Sequence, residues 1–77
     1  MNSAYKVGSS VYLVYNINGA YQVCGMLSVD RVSKDDRGFH YSLRNELDEP
    51  IDWCYEDDVF GTYEGAMQVC GERNGKL

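Results

Sequence analysis

Seventy-seven residues with a net charge of −5 and 44% hydrophobic side chains describe one folded domain. A chain this short buries only about 60% of the surface its unfolded form exposes, which leaves little room for a large substrate cleft within a single copy. Nowhere does it approach the roughly 20 apolar residues of a membrane span, and the opening MNSAYKVGSS lacks the basic start and apolar run of a signal peptide, so a cytoplasmic location is expected.

The three cysteines, Cys24, Cys54 and Cys70, are widely spaced and form no C-x-x-C pair. They read as buried reduced thiols, with neither a disulfide framework nor a metal site. Charge is distributed unevenly. Seven acids and no base lie between Glu46 and Asp58, whereas Lys6 to Arg44 carries five bases against three acids. Such an acidic stretch repels phosphate backbones, which argues against direct nucleic-acid binding, and it attracts a basic protein surface; as a simpler reading it is a solvated, solubilising rim.

Met1 to Lys6 has no pattern, and its tip is expected to be disordered. Val7-Gly8-Ser9-Ser10 leads into a first strand, Val11 to Asn16. Alternation there places Val11, Leu13 and Tyr15 on one face and Tyr12 and Val14 on the other. Both faces are apolar, so one makes the core and the other needs the C-terminal segment or a second subunit to cover it, or else stays as a patch. Asn18-Gly19 is a hairpin signal, because both residues accept positive φ. A long second strand follows from Tyr21 to Val32, with a bend at Gly25 that lets it pair with one neighbour before the bend and another after it.

Ser33 to Gly38 reads as an exposed turn. Phe39 to Asn45 alternates cleanly, with Phe39, Tyr41 and Leu43 inward and His40, Ser42 and Arg44 outward, which makes His40 a surface residue. After a turn at Glu46 to Pro50, a strand from Ile51 to Tyr55 is expected to carry Ile51, Trp53 and Tyr55 on one face, with Trp53 in the core, and Asp52 and Cys54 on the other. Glu56-Asp57-Asp58-Val59-Phe60, acids followed by two large apolar residues, suits a single helical turn that tucks Val59 and Phe60 under the barrel. Thr62 is placed to cap a short helix over about 62–71, ended by Gly71.

This order of elements resembles the SH3-like small β-barrels, such as those encoded on phages, plasmids and gene cassettes. The resemblance rests on the Gly8 approach to Val11 and Leu13, the Gly25-Met26-Leu27 bend, the strand from Gly38 to Leu43, and Glu56 to Phe60 closing the barrel. It implies a mainly β fold, a barrel of about five antiparallel strands over 7–60 and a short C-terminal helix, in a single domain over 1–77. Plasmid-borne type II dihydrofolate reductases are similar in length and element order, but their Val-Gln-Ile-Tyr stretch is here Ile51-Asp52-Trp53-Cys54. Glutamine and tyrosine are both lost, so the activity is not carried over. Tudor and chromo-type barrels use aromatic cages for methylated cations, for which Tyr12, Tyr21, Trp53 and Tyr55 are the candidates.

No phosphate loop, calcium loop or assembled catalytic set occurs, and Cys54 among acids is poorly placed to become a thiolate. The expectation is therefore a non-enzymatic protein-binding or adaptor module without cofactor or metal. Its contacts are expected at Tyr12, Val14, Asp52, Trp53, Glu56, Asp57 and Asp58, to another protein or to a second copy of itself. Two alternatives stand beside it: an acidic mimic of nucleic acid that blocks a basic groove of a defence or DNA-handling protein, and a methyl-lysine cage.

Overall fold

A computed structural model describes residues 3–76 and contains five strands, a one-turn 3-10 helix and one α-helix. The strands are β1 (Ser10–Ile17), β2 (Ala20–Asp35), β3 (Gly38–Arg44), β4 (Pro50–Tyr55) and β5 (Val59–Phe60). They form one antiparallel sheet in the order β4-β3-β2-β1-β5. The two edge strands are consecutive in the chain, joined by the 3-10 turn Glu56–Asp58, which packs against β1 and β3. The sheet thus curls back on itself as a small β-barrel-like fold, and helix α1 (Tyr63–Asn74) lies outside it.

Strand β2 runs unbroken for 16 residues, three beyond the expected end at Val32, because Ser33 and Lys34 pair with His40 and Phe39 and the turn shrinks to Asp36 and Arg37. Its first half pairs with β1 and its second with β3, as the Gly25 bend implies. The bend is a β-bulge. Gly25 and Met26 together oppose Tyr12, between the pairs Val11–Leu27 and Leu13–Cys24. A Cβ on Gly25 would enter the Tyr12 ring, so only glycine lets β2 cross this side chain. A second bulge, at Asp30, separates the pairs Val29–Leu43 and Arg31–Ser42.

Alternation along β1 sorts the interior into two parts. Val11 and Leu13 join Leu27, Val29, Tyr41, Leu43, Cys54 and Val59 inside the barrel, with Tyr15 packed at the margin. Val14 packs on the other face against Ala66 and Cys70 of α1, flanked by Tyr12, Tyr21, Val23 and Phe60. Val59 is buried as expected, but Val59 and Phe60 are a strand paired with Leu13 and Tyr12 rather than the end of a helical turn.

Thr62 caps α1 by accepting a hydrogen bond from the Gly65 N–H at 3.1 Å. The helix runs past the expected stop at Gly71 to Asn74, because its last turn is tied to the barrel. Asn74 Oδ1 accepts from the Tyr21 N–H at 2.8 Å, and its Nδ2 donates to the Tyr21 carbonyl at 3.0 Å. Arg73 donates to Asp58 at 2.6 Å and to the Asp57 carbonyl at 3.0 Å. These contacts offset the ~1 kcal/mol that glycine costs inside a helix.

The lead-in is also anchored from Ser3 onward. The Ala4 N–H donates to Glu56 Oε1 at 2.8 Å, and the Tyr5 hydroxyl donates to the Val59 carbonyl at 3.2 Å. The disordered tip expected at Met1 lies outside the described residues.

Replacing Gly25 by alanine should destabilise the domain by about 1–3 kcal/mol, the usual range for overpacking. Urea denaturation of Gly25→Ala, Tyr12→Ala and the double variant checks the cause: if the ring is the obstacle, the double variant loses less than the sum of the singles.

Candidate functional site

The outer surface of β3 and β4 carries the most unusual residue in the chain. Between the pairs Tyr41–Cys54 and Leu43–Ile51, β4 supplies Asp52 and Trp53 where β3 supplies only Ser42. This extra residue reverses the expected facing of the strand after Ile51. Ile51 and Cys54 pack into the barrel, while Asp52 and Trp53 both lie exposed. Trp53 therefore does not belong to the core: it is 67% exposed and sits at φ 63°, in the left-handed region. Asn18 and Asp48 share that region, as small polar residues do readily; a bulky aromatic rarely occupies it.

His40 points outward as alternation requires, yet it is only 7% exposed because aromatic neighbours cover it. Its ring stacks on Trp53 at 4.5 Å between centroids and lies 5.4 Å from Tyr55, with Nε2 3.7 Å from Asp35 Oδ2. Tyr55 donates to the same carboxylate oxygen at 2.6 Å, and the Arg37 guanidinium lies 4.2 Å over the Tyr55 ring. That hydrogen bond, joined by one from the Arg37 N–H, lowers the Asp35 pKa and raises that of Tyr55. Beyond Tyr55 the surface continues into a concavity of about 280 Å³ whose walls include Lys34, Arg37, Phe39, Tyr55, Glu56 and Asp57. Trp53, His40 and Tyr55 thus form one continuous aromatic surface, held by side-chain contacts on its inner side and open at Trp53.

The other expected contact residues divide between surface and scaffold. Val14 is 1% exposed beneath α1, and Tyr12 is half-buried against Tyr63. The spare face of β1 is covered by the chain itself, so Val14 cannot meet a partner. Glu56 accepts hydrogen bonds from the Tyr41 hydroxyl at 2.6 Å and from Ala4, and Asp58 is paired with Arg73. Both acids are structural. Asp52 and Asp57 remain exposed. The acidic stretch is divided, with Glu46, Asp48 and Glu49 at one end of the six-residue β4 and Glu56 to Asp58 at the other, about 20 Å apart at the rise of a strand. Nor do the four cage candidates converge: Tyr12 and Tyr21 pack beside α1, whereas Trp53 and Tyr55 flank His40.

Burial and nearby acids push the Cys54 thiol from 9.0 up to about 11, and burial with the bond to Glu56 pushes Tyr41 from 10.0 up to about 12. Among the described residues no group of His, Cys, Asp and Glu could hold a metal ion, and no helix is long and apolar enough to cross a membrane. The chain matches no protein-family profile, no curated protein and no solved structure.

Two measurements check this geometry. Trp53→Asn should leave stability within about 1 kcal/mol of wild type, since relief at positive φ offsets the lost stacking; a loss of several kcal/mol in chemical denaturation would return Trp53 to a core role. The second concerns alkaline pH. With folded pKa values raised, the unfolded chain releases its Cys54 and Tyr41 protons first, so stability must fall from about pH 9 to about pH 12. In Tyr41→Phe the upper part of that fall should flatten.

Proposed function

We propose that this chain is a non-enzymatic protein-binding module whose docking face is the outer surface of β3 and β4 centred on Trp53. A single observation carries the reading: a large aromatic is held at φ 63° and 67% exposed, incurring backbone strain and hydration of an apolar ring with little burial in return. Strain of this kind persists where the surroundings enforce it, and it gathers at functional positions. Tryptophan presented on a fixed support is also the residue type that most often dominates protein–protein binding energy.

The support is preorganised. His40 backs one side of the Trp53 ring, Tyr55 and Asp35 hold His40 in place, and little side-chain order remains to be lost on binding. The adjoining concavity offers lysine, arginine and carboxylate side chains around Phe39 and Tyr55, a mixture suited to a peptide segment of mixed charge. Docking would use the face of β4 and not its edge, because Pro50 and the bulge at Asp52 and Trp53 interrupt the edge to which an added strand would pair.

Selection from a displayed random-peptide library tests the reading. Wild type should enrich a consensus that Trp53→Asn fails to bind although it is folded, and binding should change the fluorescence of the single tryptophan. Enriched peptides that bind Trp53→Asn as tightly as wild type would refute the assignment.

A further inference from the structure

A second exposed apolar pair lies at the other end of β4, on residues that the Trp53 surface does not use. The turn after β3 is closed by Asn45, whose Oδ1 accepts from the Leu47 and Glu49 N–H groups at 2.9 Å each, while its Nδ2 donates to Glu49 Oε1 at 2.8 Å. Backbone bonds from Asp48 N–H to the Asn45 carbonyl and from Asn45 N–H to the Glu49 carbonyl complete the clasp. This rigid turn holds its one large apolar side chain, Leu47, 79% exposed. Across from it, the bulge in β2 leaves Met26 52% exposed, and Met26 and Leu47 together line a trough of about 260 Å³ with Cys24 and Glu46. A contiguous hollow of about 210 Å³ extends past Met26 and Glu46 to Ser10 and Arg44.

The charge around this trough is one-sided. Glu46 is the one charged residue lining the trough, Asp48 and Glu49 follow it in the same turn, and the one base lining the adjoining hollow, Arg44, is shared between Asp30 at 3.4 Å and Asp48 at 3.5 Å. Among the described residues Glu46 has no ion-pair partner, and Glu49 is bonded only to neutral groups. Exposed methionine and leucine side chains beside the unpaired Glu46 carboxylate are complementary to a segment whose apolar side chains are flanked by lysine or arginine.

We infer that the Met26–Leu47 trough is a second docking site, and that its occupant is a short basic segment of another protein that inserts a pair of apolar side chains. The clasped turn presents Leu47 at little entropic cost, and its carboxylates at Glu46, Asp48 and Glu49 supply long-range attraction and exclusion of acidic competitors. The site is independent of the Trp53 surface, so a chain carrying both could bridge two partners.

A short synthetic peptide with a leucine pair flanked on both sides by lysines serves as the probe, titrated into the full chain labelled for amide NMR. Two control peptides replace the leucines by serine or the lysines by glutamate. Expected are shifts concentrated on Cys24 to Leu27 and Asn45 to Glu49, with binding at least about tenfold weaker for either control and for the variants Leu47→Ser and Glu46→Lys; tenfold corresponds to ~1.4 kcal/mol. Leu47 and Glu46 are exposed, so both variants should fold, as their amide spectra will report. No binding of the leucine–lysine peptide, equal binding of the serine control, equal binding by Leu47→Ser, or shifts centred on Trp53 would each overturn the inference.

Discussion

A strand with a two-residue period has only one simple way to change which side chains face the core, and that is to gain a residue. This protein uses that device three times. In β2 the extra residues fall at Gly25-Met26 and at Asp30, where the sheet must bend to serve β1 at one end and β3 at the other. In β4 the extra residue falls at Asp52-Trp53, and it turns Cys54 inward while turning Trp53 outward. Without the first bulge the barrel does not close, and without the last its outer face has no tryptophan.

The helix solves a different problem. Five strands on so short a chain leave β1 apolar on both faces, and the barrel can bury only one of them. Helix α1 buries the other through Ala66 and Cys70, and its final turn is fixed by Arg73 and Asn74 to Asp58 and Tyr21. The same economy governs the acids. Glu56 satisfies the hydroxyl of the fully buried Tyr41 and anchors the lead-in at Ala4, and Asp58 holds the helix. Part of the acidic stretch is therefore used inside the fold, and what remains exposed is spread along β4: Glu46, Asp48 and Glu49 before it, Asp52 within it and Asp57 after it.

At both proposed docking surfaces the scaffold fixes the exposed side chain before any partner arrives, His40 and Tyr55 behind Trp53 and the Asn45 clasp under Leu47.

The mainly β class, the hairpin at Asn18-Gly19, the bend at Gly25, the cap at Thr62 and the two apolar faces of β1 were all legible in the residues, since each follows from local propensity or a short-range period. The alternation of Phe39, Tyr41 and Leu43 was legible for the same reason. Invisible in the string were the extra residue in β4, the shelter of His40, the choice of α1 over a second subunit to cover Val14, and the helical turn beyond Gly71. Each of these depends on pairing or packing between segments distant in the chain: a bulge exists only relative to a partner strand, burial only relative to what lies above, and a helix crosses a glycine only when contacts from elsewhere hold its far end. Sequence alone determined where the four longer strands lie and which residues are apolar, because those properties belong to single residues and their neighbours. Tertiary structure decided which aromatic faces water, because that depends on one unpaired position in a ladder of hydrogen bonds.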